Sequence, residues 1–234
     1  MVLFFSNTID DNLIRLDEDE SRHCIRVLRL GKNDNIHITD GKGNLYEACI
    51  SDTASGKVTA SILKTIASPS PGGFSLHVAI APTKNSERLE WFLEKSTEIG
   101  ITEITPVFCT HSERNRVNHD RLNKILISAV KQSLKTRLPR LNEAVAFKDL
   151  VSRPFQGIKL IASCLSGNEL EIQQAYIKGS DVVVLIGPEG DFSEIEIETA
   201  INAGFVPVSL GESRLRTETA GVYVTAVVNL LNRM

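Results

Sequence analysis

The run Val182-Val183-Val184-Leu185-Ile186-Gly187-Pro188-Glu189-Gly190 is apolar without a break until a glycine–proline turn ends it. A strand with one wet face alternates apolar and polar residues; an unbroken run reads as a strand covered on both faces. Such strands belong to parallel sheets, whose connections cross over through helices. The flanks fit this. Ser193 and Glu196 form a capping box opening a helix that ends near Gly204. FVPVSL (205–210) reads as a strand and Thr217–Leu231 as a final helix. Upstream, KLIAS (159–163) is a strand and 169–177 a helix. ITPVF (104–108) is a strand, followed by a helix around 119–135 with Leu122, Ile125, Leu126, Ala129, Val130 and Leu134 on one face. SLHVAIA (75–81) is the first strand of the series. The helix after it starts at Asn85 or Ser86, carries Leu89, Phe92, Leu93 and Ile99 at helical spacing, and stops at Gly100. From residue 74 onward the expectation is an α/β domain with a parallel sheet and helices on both faces.

Residues 1–67 read differently. MVLFF opens with a first strand, and 35–39, 45–50 and 58–63 are short strands bounded by Asp40-Gly41, Gly43-Asn44 and Ser55-Gly56 turn signals. One or two helical turns fall within 19–29. Close-spaced short strands predict a small β-barrel over 1–70. Ser68-Pro69-Ser70-Pro71-Gly72-Gly73 is the linker candidate, with the second domain over 74–234.

The chain has 234 residues, 42% hydrophobic and 24% charged, a composition that excludes global disorder. No apolar run reaches the ~18 residues of a membrane span, and the start lacks the basic region of a signal peptide. Cys24, Cys49, Cys109 and Cys164 stand far apart, without metal-ligand spacing, so neither a zinc site nor a disulfide framework is expected and a reducing cytoplasm fits. The net charge of −3 conceals an asymmetry: −2 over 1–73, +4 over 74–140 and −5 over 141–234. Residues 111–140 hold eight basic residues, among them Arg114, Arg116, Lys135 and Arg137, against Glu113 and Asp120. Arg22, Arg26, Arg29 and Lys32 follow one another with no acid between them. Local basic clusters of this kind are compatible with a nucleic-acid partner.

Three loops follow strand ends: CLSGN (164–168), GPEGD (187–191) and LGESRLRTET (210–219). Ligands in open α/β sheets bind beyond the carboxyl ends of strands. Gly187 and Gly190 permit close backbone approach, and Pro188 fixes a bend. The loop lacks the lysine ending of a phosphate loop, and Glu189 and Asp191 would repel phosphate. The same residues also fit a plain strand-to-helix connection. In the later loop Arg214 and Arg216 sit beside Glu212 and Glu218 at a helix start, where Thr217 is positioned to cap. Here too solvated ion pairs are the alternative to a site.

IGPEGDFS, followed about twenty residues later by SLGESRLRTETA, resembles the ribosomal RNA small subunit methyltransferase E family, SPOUT-class enzymes acting on uridine N3 in 16S rRNA. KNSERLEWFLEKSTEIGI (84–101) and RHCIRVLRL (22–30) resemble two further family segments, in the same order along the chain. The resemblance implies a PUA-like RNA-binding β-barrel at the N-terminus, then an α/β domain with a deep trefoil knot. It implies S-adenosyl-L-methionine as cofactor, a homodimer, and the small ribosomal subunit as partner, with no membrane and no metal. Carried over by position, Ile186, Gly187, Pro188, Glu189, Gly190, Leu210, Gly211, Leu215, Arg216, Thr217, Glu218 and Thr219 would meet the cofactor, with Leu165 past the preceding strand. Arg216 would stabilise negative charge on the uracil oxygens, and Glu218 would act as base or orient it. Arg22, Arg26, Arg29, Lys84, Arg114, Arg116, Lys135 and Arg137 would hold RNA. Two positions depart from the family pattern: Asp191, where a second glycine is frequent, and Lys135, at an arginine position. A noncatalytic RNA-binding or assembly factor on the same fold, or a SPOUT methyltransferase with another RNA target, are the competing readings.

Overall fold

The structure is a computed structural model describing residues 2–67, 73–163 and 170–234. The expected loop at 164–168, with Leu165 and Cys164, and the linker at 68–72 lie outside the described residues. Contacts divide the chain into two units: Met1–Ser70 with Ile127–Leu138, and Pro71–Leu126 with Pro139–Met234.

The first unit contains β1 (Leu3–Phe5), β2 (Thr8–Asp10), β3 (Leu13–Arg15), α1 (Glu18–Arg22), β4 (Asn35–Thr39), β5 (Asn44–Asp52) and β6 (Thr59–Ala67). The sheet runs β1-β4-β5-β6-β3-β2, with β1 parallel to β4 and the rest antiparallel. Ser6 curls it into a barrel-like form. This residue lies between the two edge strands, its N–H donates to the Thr39 carbonyl (3.0 Å), and its hydroxyl donates to the Arg15 carbonyl (2.6 Å). Phe4, Ile14, Ile38, Ile50 and Ala60 fill the interior. The helix expected within 19–29 is shorter: α1 gives way to a π-turn over His23–Val27, and Arg29 follows in the left-handed region at φ +56°. Residues 136–138 are held to the β4–β5 hairpin by Gly43 N–H to Thr136 O (2.9 Å) and Leu138 N–H to Gly41 O (2.8 Å).

The second unit contains β7 (Leu76–Ile80), α2 (Ser86–Ile99), β8 (Glu103–Phe108), α3 (His119–Gln132, whose second half belongs to the first unit), β9 (Arg140–Leu141), β10 (Val145–Ala146) and α4 (Phe147–Val151). It continues with β11 (Ile158–Ala162), β12 (Leu170–Glu171), α5 (Ile172–Ala175), β13 (Val182–Ile186), α6 (Glu194–Asn202), β14 (Val206–Ser209) and α7 (Thr217–Arg233). Every pairing in this sheet is parallel, in the order β10-β8-β7-β13-β11-β14-β12, with β9 also on β8. All five residues of β13 are buried. Val183 and Leu185 join Phe147, Leu150, Phe192 and Phe205 in a core on the face that carries α4 and α6. Val182, Val184 and Ile186 take the opposite face, where α7 packs on β7, β13 and α2.

Two expectations change. The helix expected to reach 135 ends at Gln132, because Leu134 turns left-handed (φ +54°) and Lys135 N–H donates back to Val130 O (3.0 Å), a Schellman-type stop. Of the helix expected at 169–177, only Ile172–Ala175 is helical among the described residues, opened by a Glu171–Gln174 capping box. Burial pushes the Cys24 thiol up to about 11 and the Cys109 thiol up to about 12, so both stay protonated and act as small apolar residues.

α7 packs against α2 and β7 at Gly221, where a Cβ would lie 2.5 Å from Phe92 Cε2 and 3.1 Å from Ile80 Cδ1. Gly221→Ala is expected to destabilise the protein by about 1–3 kcal/mol, lowering Tm by about 2–4 °C for each kcal/mol in thermal unfolding. His77 is buried on β7 with Nε2 2.7 Å from Thr105 Oγ1. Burial holds its pKa below the ordinary value, outweighing the opposing pull of Glu103. The unfolded chain therefore takes up this proton more readily. His77 contributes stability above about pH 6.5 and loses it as pH falls, by up to about 1.4 kcal/mol per pH unit. His77→Gln should flatten the fall in urea midpoint between about pH 7.5 and pH 5.5.

Candidate functional site

Parallel strands all release their chain at one edge. Four described loops gather at the carboxyl ends of β7, β8, β13 and β14, and hydrogen bonds tie them together. The Thr217 hydroxyl, buried, donates to the Gly187 carbonyl at 3.0 Å, joining the β14 loop to the β13 loop. Glu189 is held twice: its carbonyl accepts from Arg214 Nη2 (3.3 Å) and its carboxylate from the Lys84 N–H (3.1 Å). His111 Nδ1 lies 3.0 Å from Asp191 O, and the Thr110 N–H donates to Glu196 Oε1 (2.8 Å). Thr217 is thus the first residue of α7 rather than its cap; Arg216 occupies the N-cap position and makes no side-chain capping bond.

These loops enclose a cleft of about 800 Å³, within the size range of small-molecule sites. Ala162 and Ser163 close one end. Ile186 to Glu189 and Asp191 form one wall, Ser209 to Thr217 another, and Ala220 sits at the base of α7. Of the expected cofactor residues the cleft gathers Ile186, Gly187, Pro188, Glu189, Leu210, Gly211, Leu215, Arg216 and Thr217. Gly190 does not line it; the Cβ it lacks would sit 3.2 Å from His111 Cβ. Glu218 and Thr219 do not line it either. They line a second, shallower recess of about 550 Å³ with Asn85, Glu87, Arg88 and Trp91. Arg214, Leu215 and Arg216 belong to both linings. Arg88 and Trp91 were not expected in a site; Trp91 reads in the sequence as a packing residue or interface anchor. Their only signal was position: both fall in the first turns of a helix that follows a sheet strand.

The expected RNA-contact residues fall in both units. Arg22 is paired with Glu18 (3.0 Å) and Asp19 (3.3 Å) along its own helix, while Arg26 and Arg29 are exposed on and just after the π-turn. Lys135 is half-buried, and Arg137 lies over Gly43, whose Cβ would meet its Cζ at 3.1 Å. In the second unit Lys84 pairs with Glu113 (2.7 Å), Arg114 Nε donates to Lys84 O (3.1 Å), and Arg116 is exposed. Among the described residues, no group of His, Cys, Asp and Glu side chains could hold a metal ion, and no helix is long and apolar enough to cross a membrane.

The fold and this edge define an RNA methyltransferase. The family description "RNA methyltransferase domain" matches residues 70–229, and "RNA methyltransferase PUA domain" matches 16–63. The chain belongs to the ribosomal RNA small subunit methyltransferase E family. It is 32% identical over 226 residues to the "Ribosomal RNA small subunit methyltransferase E" of Synechocystis sp., covering 93% of this chain and 73% of that protein. The crystal structure of a "probable rRNA-methyltransferase" from Porphyromonas gingivalis is 40% identical, superposes with TM-score 0.92, and covers 100% of this chain and 99% of that one. A ribosomal RNA small subunit methyltransferase E from Neisseria gonorrhoeae bound to S-adenosyl methionine is 31% identical with TM-score 0.81, covering 99% and 98%.

Asp191 adopts φ +62°, a left-handed conformation that glycine takes without strain, and its Oδ1 accepts from the next N–H at 2.8 Å. That conformation is one a glycine at this position would adopt at no steric cost. Asp191→Gly should leave stability unchanged or raise it by up to about 1 kcal/mol, whereas Asp191→Ala should lower it by about 1–2 kcal/mol, read as shifts in denaturant midpoint.

Proposed function

We propose that this protein transfers a methyl group from S-adenosyl-L-methionine to N3 of a uridine in the 16S rRNA of the small ribosomal subunit. The observation that carries this reading is the place of Arg216, on the wall common to the cleft and the recess beside it. The cleft suits the cofactor in size, and at Gly211, where a Cβ would meet nothing within 4 Å, its wall leaves backbone open to a flat ring. The gonococcal relative, with S-adenosyl methionine bound, supports the same assignment. When bound, the cofactor supplies an electrophilic methyl group. The chain's residues do the rest. The cleft walls orient the cofactor. Arg216 stabilises the negative charge that develops on the uracil oxygens as the N3 proton leaves. Glu218, facing the recess, takes or orients that proton. N3 lies on the pairing edge, so the base must enter unpaired or flipped out.

Residues 1–70, with Arg22, Arg26 and Arg29, bind RNA on this reading, and 74–234 carry out the transfer, with Lys84, Arg114 and Arg116 at phosphates; Lys135 and Arg137, which belong to the first unit, hold phosphates as well. The same reading includes a trefoil knot in the second domain, a homodimer and a cytoplasmic location.

The test incubates the full chain with methyl-labelled cofactor and small subunits from a strain lacking the modification, then identifies the labelled nucleoside. Label in 3-methyluridine is expected, with kcat reduced about 100- to 1000-fold by Arg216→Ala. Label in another nucleoside overturns the substrate. RNA binding without label or cofactor affinity overturns the activity.

A further inference from the structure

The second recess contains a polar atom that the protein leaves unsatisfied. Glu218 is 6% exposed, in the first turn of α7. Its Oε2 is buried without a hydrogen-bond partner. Its Oε1 has the Arg88 Nε at 3.8 Å, close enough for charge attraction and too far for a hydrogen bond. A carboxylate oxygen to which the protein gives no donor is an acceptor that an N–H of a ligand in this recess would satisfy. Arg88 and Arg216 line the same recess and supply guanidinium donors to it. Trp91 adds a flat, 43% exposed indole.

The matching ligand is a flat ring that donates one N–H and accepts at neighbouring oxygens. The imide edge of uracil does this, with N3–H between two carbonyls. Cytosine does not: its N3 carries a lone pair, which would face the carboxylate, and an amino donor replaces one carbonyl, which would face an arginine. A site that hydrogen-bonds its ligand rejects an analogue that leaves those groups unpaired.

We propose that Arg88 and Glu218 read the imide edge of the target base against Trp91, and that this pair selects uracil over cytosine. The inference rests on the uridine-methyltransferase reading above and assigns its base-selecting residues.

Trp91 is the single tryptophan of the chain, so its fluorescence reports on this recess. The full-length protein is titrated with oligouridylate and oligocytidylate of equal length. Oligouridylate is expected to bind about tenfold more tightly. Glu218→Gln and Arg88→Ala should each bring that ratio to within about twofold with little effect on oligocytidylate, and Arg88→Lys should retain an intermediate preference. Equal affinities in the unaltered protein, a ratio that survives both substitutions, or binding that leaves Trp91 fluorescence unchanged would each overturn the proposal. Methyl transfer to small-subunit RNA is scored separately. Transfer without uracil preference in the titration sinks the base-reading pair and leaves the activity standing. Preference without transfer sinks the activity and leaves the pair.

Discussion

A strand that is apolar on both faces must be covered twice, and β13 imposes that requirement on the whole second unit. Covering both faces requires helices above and below the sheet, and crossovers through those helices keep the strands parallel. β13 sits between β7 and β11, each parallel to it, with α7 on one side and the Phe147–Phe192 core on the other. Strands that all point one way end at one edge. The β7, β8, β13 and β14 loops meet there because the sheet offers them nowhere else to go, and the Thr217–Gly187 hydrogen bond sets the spacing of the two that bound the cleft.

At that edge the chain departs from what would be locally most stable. Ser193 opens α6 with a reciprocal capping box, whereas α7, at 17 residues the longest helix described, opens on Arg216 with no side-chain cap. A serine or aspartate there would add about 1 kcal/mol to the helix. Asp191 occupies a glycine conformation, and Glu218 keeps a dry oxygen without a donor. Each departure adjoins the cleft or the recess. Single departures occur elsewhere, as at Arg29 and Leu134 with left-handed φ and at the unpartnered buried Thr97 Oγ1, whereas three fall together here; α2 by contrast is capped by Asn85 through the Glu87 N–H and ended by Gly100 at φ +136°. Local choices that give up stability and cluster at one edge mark a site that serves ligand rather than fold.

Much of this is legible in residue patterns. The strands at 35–39 and 182–186 have clear boundaries because turn residues bracket them, and α2 and α6 announce their ends through caps. β9 and β10 are two residues each, too short for any periodicity to register. Pattern also carries no strand order: nothing local to Val182–Ile186 says that its neighbours are Leu76–Ile80 and Ile158–Ala162. The partition of the site is hidden for the same reason. Glu218 and Arg216 are two residues apart at a helix start, and only the folded backbone turns Glu218 toward Arg88 while Arg216 keeps both recesses. The association of Ile127–Leu138 with the first unit rests on backbone bonds from Thr136 and Leu138 to the hairpin at Gly41–Gly43, which side-chain pattern does not encode.

The sheet order also governs how the protein emerges during synthesis. Val184 pairs with Val78, more than one hundred positions earlier in the chain. At a translation rate of about 5–20 residues per second, one long edge of β7 waits roughly 5–20 s for its partner. Through that interval a strand destined for complete burial has a free ladder of N–H and C=O groups, the arrangement most open to pairing with another nascent chain. β8, which follows β7 and pairs with its opposite edge, can form early and cover one side. Assembly of this domain is therefore dominated by distant closure, and its vulnerable period ends only when the last quarter of the chain supplies β13.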